Sequence, residues 1–372
     1  MLYRFAVLGN RPFTPKDDEM DEQKQVVENA HGLTYLFDDK PEPAEIREVA
    51  EGVHWLRLPL FETLDHINVW LLEDGDSWVI VDTGLNNDRT KEIWENVFDK
   101  TFKGKPVSRI LVTHMHPDHI GLAGWMVDKF GVMLTMTRLE YLTCRVLAAD
   151  TDKEAPKEAL DFLYQAGVPD EIIEGYKKRF GMFGAAIYDL PQNFYRVSDE
   201  EEIVINGRIW KVAVGNGHSP EHACFFCPSL KVVISGDQIL PRISSHVGVF
   251  PNEPDANNLE DWIGSCKKLK SVFPEDLLVL PSHNEPFYGV HNRLQSLIDG
   301  HEKRLVKLLA ACDTPRSPAD PALFSILFKR TIDKGLFIMA ISESMAHLNC
   351  LYRRGLVNKS LDEDGRLRFV AS

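Results

Sequence analysis

Short apolar segments separated by turn residues dominate the pattern over most of the chain. Residues 66–72 and 77–81 are apolar and flank the polar turn 73–76, which is typical of a β-hairpin. Residues 202–214 repeat this pattern around Asn206-Gly207, a strong hairpin signal. Segments with apolar residues three and four apart lie between the strands, so the pattern predicts a mixed α/β protein.

Several of the predicted buried strands end in loops that carry histidine or aspartate. The apolar run at 110–112 precedes a histidine-rich loop, residues 232–235 precede Asp237, and residues 277–280 precede His283. Ligands of open α/β sheets bind beyond the carboxyl ends of the strands. The sequence therefore predicts a functional site where these strand ends meet.

The loop after the first of these strands holds four potential metal ligands within six residues, in the order H-x-H-x-D-H. His114 and His116 lie two apart on an extended loop, so their imidazoles can converge on one cation. Asp118 and His119 lie in the first turn of the following helix and point towards a second cation. Histidine supplies only 13 of 372 residues, which disfavours a chance meeting of three histidines and an aspartate here.

Two weaker patterns have more than one reading. Asp82 ends the strand at 77–81, where its carboxylate could brace the metal loop through hydrogen bonds or cap the helix predicted at 87–99. Cys224 and Cys227 form a C-x-x-C that could hold zinc or a redox disulfide. Because residues three apart in a strand face opposite sides, we interpret them as packing cysteines.

Composition and charge exclude some classes of protein. The fractions of hydrophobic (44%) and charged (26%) residues are those of a globular protein, and no apolar run is long enough to span a bilayer. The net charge is −14, divided into −18 for residues 1–300 and +4 for residues 301–372, which disfavours nonspecific nucleic-acid binding by the body. The beginning of the chain lacks the features of a signal peptide, so we expect a cytoplasmic protein with reduced cysteines.

The two ends of the chain differ from its middle. Residues 1–48 are polar and rich in proline, which predicts an extension that wraps over a domain. Residues 299–372 predict a small α+β domain, with three helices at 301–311, 322–334 and 337–354 followed by a strand–turn–strand unit around Asp364-Gly365. A catalytic domain at 49–298 lies between them, and within it residues 138–185 look helical.

Taken in order, the motifs resemble those of the metallo-β-lactamase-fold hydrolases. They are Val81-Asp82-Thr83-Gly84, the H-x-H-x-D-H loop, Gly217-His218, Ser235-Gly236-Asp237 and Pro281-Ser282-His283. The resemblance implies an αββα four-layer sandwich in which two sheets lie back to back with helices outside. It also implies that the helical stretch 138–185 is a lid over a substrate pocket.

The resemblance also assigns the site. It implies a first metal ion bound by three histidines and a second bound by Asp118 and two histidines, with Asp237 bridging both. The first set is His114, His116 and His218, and the second is Asp118, His119 and His283. Asp118 and Asp237 would also be catalytic, whereas Asp82 and His222 would support the ligands without binding metal. Imidazole and carboxylate ligands suit zinc best among the expected ions, with manganese or iron as alternatives.

The tail is similar to a winged-helix domain that is appended to one branch of this family. Its third helix, which includes Glu343 and His347, has no basic stripe before Arg353 and Arg354. We therefore expect the tail to mediate homodimerisation or to close the pocket, with nucleic-acid contact as the alternative.

The function implied is hydrolysis of a small carbonyl ester by a hydroxide held at a dinuclear site. A thioester of the hydroxyacylglutathione type is the first expectation, because a thiolate leaves with little protonation. Lactone hydrolysis, RNA cleavage and oxidation of a persulfide at a single iron are the alternatives. A serine nucleophile is not expected, because the chain contains no G-x-S-x-G sequence and no P-loop.

Overall fold

The fold is described by a computed structural model that covers residues 27–28, 32–37, 39–42, 44–60, 64–328 and 331–372. Within these residues the strands are β1 (Val27–Glu28), β2 (Thr34–Tyr35), β3 (Ile46–Ala50), β4 (Val53–Pro59), β5 (His66–Asp74), β6 (Ser77–Val81), β7 (Val107–Leu111), β8 (Leu134–Met136), β9 (Tyr195–Arg196), β10 (Glu202–Ile205), β11 (Arg208–Gly215), β12 (His222–Cys227), β13 (Val232–Gly236), β14 (Leu278–Pro281), β15 (Phe287–Tyr288), β16 (Val357–Leu361) and β17 (Leu367–Ala371). The helices are α1 (Asp88–Val97), α2 (Pro117–Ile120), α3 (Ala123–Phe130), α4 (Arg138–Ala148), α5 (Lys157–Gln165), α6 (Asp170–Lys177), α7 (Met182–Ala185), α8 (Asn258–Val272), α9 (Val290–Ala311), α10 (Pro321–Leu327) and α11 (Phe337–Arg353), and a π-helical turn, Phe98–Phe102, continues α1.

In the described part of the chain, the strands form two large mixed sheets and a separate hairpin. The eight-stranded sheet has the order β1-β2-β15-β14-β13-β12-β11-β10, and the seven-stranded sheet has the order β3-β4-β5-β6-β7-β8-β9. Most neighbours are antiparallel, but β6, β7, β8 and β9 run parallel to one another, as do β13 and β14. The parallel strands bring their carboxyl ends to one edge of each sheet.

Three apolar cores separate four layers. Trp70 and Phe225 lie in the core between the two sheets, whereas Trp94 lies between the seven-stranded sheet and its helices. Cys224 shares the third core with Trp262 of α8, on the outer face of the eight-stranded sheet. Successive residues of β12 therefore face opposite layers. The predicted αββα four-layer sandwich is confirmed, and within it Cys224 and Cys227 face different cores.

The predicted helical stretch 138–185 contains α4 to α7, and in the chain it connects β8 to β9, the edge strand of the seven-stranded sheet. Its middle packs against the tail: Phe162 and Leu163 share a core with Leu323 and Ile341. A backbone hydrogen bond from the Ala319 N–H to the Ala166 oxygen joins the same two regions at 3.1 Å. The insertion is thus fastened to the C-terminal part of the chain.

The domain boundaries at 48/49 and 298/299 stay predictions, and a regular element crosses each of them: β3 (Ile46–Ala50) the first and α9 the second. Within the predicted extension 1–48, residues 1–26 lie outside the described residues, whereas β2 pairs with β15 and β3 with β4. The predicted boundary at 298/299 lies inside α9, which runs unbroken from Val290 to Ala311.

The tail contains the expected helices and hairpin, but α10 is shorter than the helix predicted at 322–334. It begins at Pro321, with the Asp320 side chain as its N-cap, and it ends at Leu327 because Phe328 is extended. The comparison of this domain with a winged helix stays a prediction. None of the helices in the described residues combines the length and the apolar character needed to cross a membrane.

Candidate metal centre

All seven predicted ligands lie at the edge where the parallel strands end. β7 leads into the loop of His114 and His116 and then into α2, which carries Asp118 and His119. The remaining three, His218, Asp237 and His283, follow β11, β13 and β14. Backbone hydrogen bonds link the two sheets here, from the Ala223 N–H to the Thr113 oxygen and from the Asn68 N–H to the Ser282 oxygen. The sheet topology therefore assembles the cluster.

Three histidines form the first half of the cluster. The Nε2 atom of His114 lies 2.9 Å from Nδ1 of His116 and 3.2 Å from Nε2 of His218. Burial lowers the pKa of His116 to about 4 and that of His218 to about 3, and neighbouring histidines add to both shifts. The imidazoles are therefore neutral at pH 7, the form in which histidine binds metal. We call these three residues the histidine triad.

Asp118, His119 and His283 form the second half, which we call the mixed triad. One oxygen of Asp118, Oδ2, lies 3.6 Å from Nε2 of both His119 and His283. Burial opposes a charge on His119, but Asp118, Asp82 and Asp237 outweigh it and raise the pKa of His119 well above its ordinary value. The mixed triad therefore carries negative potential that a cation would neutralise.

Asp237 lies between the two triads, with one carboxylate oxygen facing each. Its Oδ1 atom is 3.6 Å from His119 Nε2 and 3.4 Å from His283 Nε2, whereas Oδ2 is 3.6 Å from His218 Nε2. Burial alone would raise the pKa of this carboxyl, but His283 and His119 hold it well below the usual range. Asp237 is thus an ionised carboxylate in a bridging position.

Hydrogen bonds outside the cluster fix which ring nitrogen faces inward. His218 donates from Nδ1 to the His246 carbonyl (2.7 Å), and His283 donates from Nδ1 to the His66 carbonyl (2.9 Å). Since a carbonyl can only accept, Nδ1 carries the proton and Nε2 presents its lone pair to the centre. His119 is held in the same way by the carboxylate of Asp82, at 2.8 Å.

Asp82 and His222 lie where the sequence predicts supporting residues. Asp82 also accepts hydrogen bonds from the Thr113 backbone N–H (2.8 Å) and hydroxyl (2.8 Å), so it holds the start of the metal loop. His222 accepts the Asp237 backbone N–H at Nε2 (3.0 Å) and so does not point into either triad. A Cβ atom on Gly236 would lie 2.4 Å from the His222 ring, so this approach requires glycine.

The donor atoms fit bound metal ions. The ligand atoms form three groups, and the atoms within each group lie no more than 4.8 Å apart. The groups are His114, His116 and His218; His114, His119 and Asp237; and Asp118, His119 and His283. Among the described residues, the buried Nε2 of His119 and Oδ1 of Asp237 have no hydrogen-bond partner. Buried polar atoms are otherwise almost always paired, and these two atoms are suited to coordinate cations. Imidazole with carboxylate suits zinc, iron or manganese.

Sequence reasoning missed a buried glutamate at the centre. Glu140 of α4 accepts hydrogen bonds from the Met115 N–H (2.9 Å), the Ser219 hydroxyl (2.6 Å) and the Glu221 N–H (2.8 Å). Burial raises the pKa of Glu140 to about 7, against the effect of these three bonds. The available signal was weak: Glu140 shares a helix face with the apolar Cys144, four residues later.

Sequence reasoning also missed a link to the C-terminal domain. The backbone carbonyl of His246 accepts the hydrogen bond from His218. The ring Nε2 of His246 lies 3.0 Å from both the Met339 carbonyl oxygen and the Ser342 hydroxyl of α11. The Ser342 carbonyl in turn accepts the Val249 N–H at 2.9 Å. The loop after Asp237 is therefore attached to α11.

Known proteins are similar to this chain over most of its length. Residues 63–283 match the profile of the Metallo-beta-lactamase superfamily, and residues 305–372 match the profile "Metallo-beta-lactamase-like, C-terminal domain". A beta-lactamase domain protein from Burkholderia ambifaria has a solved structure that covers 92% of this chain and 99% of its own, with 35% identity and a TM-score of 0.84.

Two curated relatives are more distant. The probable metallo-hydrolase YqjP of Bacillus subtilis is 24% identical over 306 residues, which cover 81% of this chain and 92% of the relative. The acyl-coenzyme A thioesterase MBLAC2 of Homo sapiens is 23% identical over 249 residues, or 65% of this chain and 81% of the relative. Because the first profile spans more than half of the sequence, the chain belongs to the Metallo-beta-lactamase superfamily and is a metallo-hydrolase of that superfamily.

Proposed function

We propose that this protein hydrolyses a small thioester at a centre of two divalent metal ions. The observation that carries the proposal is the position of Asp237, whose two carboxylate oxygens face different triads. A carboxylate that serves two neighbouring cations would be placed in this way. The proposed ligands are His114, His116 and His218 for one ion, Asp118, His119 and His283 for the other, and Asp237 for both.

The chemistry expected of the ions is the reason for proposing hydrolysis. When bound, two divalent ions would lower the pKa of a water molecule to roughly 7 and polarise a carbonyl oxygen. The neutral histidine triad keeps its lone pairs free at this pH, and the supporting bonds from His246, His66 and Asp82 hold three of the rings in place. Zinc is the ion that we expect first, with manganese or iron as alternatives.

Asp118 is the residue that we assign to handling the proton of the attacking water. Its side chain is 22% exposed, against 2% for His283 and 0% for His119. It is therefore the member of the mixed triad that solvent reaches most readily. A carboxylate in this position can orient a water molecule and accept its proton. Asp237, in contrast, is placed to hold both halves together.

The leaving group and a relative support a thioester. A thiolate leaves without a strong acid, and among the described residues no lysine or arginine side chain hydrogen-bonds to the triads. Attack by water also requires no protein nucleophile: the six cysteines are buried, and burial raises the pKa of Cys144 to about 12. The name of MBLAC2, an acyl-coenzyme A thioesterase, adds support by analogy.

The C-terminal domain fits a supporting role better than nucleic-acid binding. Eleven of the 17 residues of α11 are buried, and its basic end is already occupied. Arg354 is paired with Glu260 and Glu302, and Arg353 donates to the Asp255 carbonyl. We therefore propose that the domain closes the pocket side of the catalytic domain. Homodimerisation stays a prediction, which sedimentation of the purified protein tests.

A substrate panel tests the proposed function. The metal-loaded protein is assayed with acyl-coenzyme A and hydroxyacylglutathione thioesters, with lactones and with single-stranded RNA, before and after removal of metal by a chelator. We expect thiol release to be fastest, to stop after chelation and to return with zinc. Cleavage of RNA or of lactones in place of thioesters would contradict the substrate assignment, and oxygen uptake with glutathione persulfide without hydrolysis would contradict hydrolysis itself.

A further inference from the structure

The carboxylate of Glu140 joins two loops that are far apart in the sequence. It is fully buried and it accepts three hydrogen bonds, two at Oε1 and one at Oε2. Oε1 accepts from the Ser219 hydroxyl and the Glu221 N–H, and Oε2 accepts from the Met115 N–H. A buried carboxylate is costly to leave without hydrogen-bond donors, and three donors from two loops satisfy this one, so the contact is not incidental.

Two of the three groups that Glu140 contacts belong to residues adjacent to a proposed ligand, and the third, the Glu221 N–H, lies in the same loop as His218. Met115 lies between His114 and His116, and Ser219 directly follows His218. One carboxylate thus spans the two loops that supply the histidine triad. None of the three contacted groups lies beside a residue that only the mixed triad uses, so the influence of Glu140 is directed at one half of the cluster.

The attachment is reciprocal, which fixes α4 itself. The Glu221 carboxylate accepts the Leu139 N–H (2.8 Å), and the Glu221 carbonyl accepts the Thr137 hydroxyl (2.8 Å). The beginning of α4 and the loop after His218 are therefore tied in both directions. Helix α4 cannot shift without moving that loop or breaking these bonds.

We propose that Glu140 is a positioning residue that sets the separation of the two loops and so the metal affinity of the histidine triad. The inference rests on the proposed function, because it assumes that the triad binds a metal ion. It gives the helical insertion a role at the metal centre besides that of a lid. Loss of an outer residue that orients metal ligands typically costs about 10–100-fold in metal affinity.

Glutamine at this position would keep the shape of the side chain but not its bonding. An amide has one oxygen that accepts, whereas its NH₂ group can only donate. In Glu140→Gln, either the Met115 N–H or the pair of donors at Ser219 and Glu221 would face another donor. Glu221→Gln is the matched control, because its single oxygen can still accept the one Leu139 N–H.

The test measures metal binding of the full-length chain. Wild type, Glu140→Gln and Glu221→Gln are stripped of metal and titrated with Zn²⁺ against a chromophoric chelator, and the visible spectrum of the Co²⁺-loaded forms is recorded. We expect Glu140→Gln to raise one of the two Zn²⁺ dissociation constants by about 10–100-fold and to leave the other within about threefold of its wild-type value. One band of the Co²⁺ spectrum should also change. Glu221→Gln should match wild type.

The outcomes separate this inference from the proposed function. If both dissociation constants and the cobalt spectrum of Glu140→Gln match wild type while thermal stability falls, the residue is only structural and the inference is wrong. If the wild-type protein binds no divalent ion, the proposed function fails, and the inference fails with it. Ser219→Ala removes one of the three bonds and should cause a smaller change in the same constant, which keeps the test available if Glu140→Gln does not fold.

Discussion

The two triads of the cluster have similar ligands but different supports. The mixed triad is held by two neighbouring strands of the seven-stranded sheet: Asp82, at the end of β6, fixes His119, and the carbonyl of His66, at the start of β5, fixes His283. The histidine triad is held from segments outside the sheets. Glu140 of the helical insertion ties its loops, and the His246 carbonyl fixes His218.

The second of these supports reaches the C-terminal domain. The ring of His246 contacts Met339 and Ser342 of α11, so His246 connects α11 to the proposed ligand His218. The difference teaches that the central sheets are sufficient to place one half of the centre, while the insertion and the tail complete the other half. Changes in the insertion or the tail should therefore alter the histidine triad selectively.

The largest effect should follow from breaking both halves at once. Asp237→Ala removes the carboxylate that faces both triads, and we expect kcat/KM to fall by more than the ~100-fold that loss of an outer supporting residue can cost. Metal content should fall below that of wild type, while chemical unfolding stays cooperative. The control is Asp255→Ala, which removes a 68% exposed aspartate paired with Lys359 on the surface. A metal-replete, active Asp237→Ala protein would contradict the bridging position.

Asp82→Asn should damage the mixed triad more than the histidine triad, because Asp82 contacts His119 directly and His114 only through Thr113. The amide can present its NH₂ group to His119 Nδ1 and so favour the tautomer with its proton on Nε2, which faces the centre. We expect about a 10–100-fold loss of affinity for one of two Zn²⁺ ions in the chelator titration. Equal weakening of both ions would show that the triads are not supported independently.

Ser342→Ala should loosen the histidine triad slightly through His246. One hydrogen bond to the His246 ring is lost, while the contact to the Met339 oxygen remains. A net loss of about 1 kcal/mol corresponds to roughly a fivefold change in one Zn²⁺ dissociation constant. Ser344→Ala is the matched control, since the hydroxyl of Ser344 is buried without a hydrogen-bond partner among the described residues. If Ser342→Ala and Ser344→Ala had the same Zn²⁺ dissociation constants, the conclusion that α11 supports the histidine triad would be wrong.

The smallest effect on the centre is expected from His347→Gln, which should change the pH dependence of stability. Burial lowers the pKa of His347 to about 4, and the ring faces His301 at 3.2 Å, with Glu343 and Arg304 nearby. Between pH 6.5 and 4 the unfolded chain binds a proton that the folded chain does not. This contribution is therefore complete above pH 6.5 and is lost as the pH falls towards 4.

The measurement for His347→Gln is chemical unfolding at pH 7.5 and pH 5. On acidification the free energy of unfolding of the variant should fall by about 2 kcal/mol less than that of wild type. The difference is the contribution of His347 between pH 6.5 and pH 5, at about 1.36 kcal/mol per pH unit. Its turnover at pH 7.5 should stay within about twofold of wild type, because His347 contacts neither triad. Identical acid sensitivity of the two proteins would show that the ring is not neutral in the fold.

The parts of the site that residue types encode could be predicted from the sequence. The H-x-H-x-D-H spacing and the strand ends, together with the family resemblance, predict the seven grouped side chains and the neighbouring positions of Asp82 and His222. Supports made by backbone atoms, such as the carbonyls of His66 and His246, could not be predicted. Every residue has a backbone carbonyl, so the residue type does not show which one accepts a hydrogen bond. In the sequence Glu140 looks like any glutamate of a helix, because its partner Ser219 lies 79 residues later in the chain.

The same limit applies to the fold. Hairpins follow from local periodicity, and the four layers follow from the family resemblance. The pairing of β2 with β15, in contrast, joins Tyr35 to Phe287 and depends only on tertiary structure. The early end of α10 depends on the extended backbone of Phe328, in a segment whose residues also suit a helix. Long-range pairing and helix ends were therefore the parts that periodicity could not place.

The central claim is that the two triads hold two divalent ions that support hydrolysis. The most direct measurement is elemental analysis of the purified protein, paired with thioester turnover before and after chelation. The account predicts close to two zinc or manganese ions per chain, with turnover that is lost with the metal and restored by it. A single iron ion per chain, with oxygen uptake on a persulfide and no hydrolysis, would contradict it.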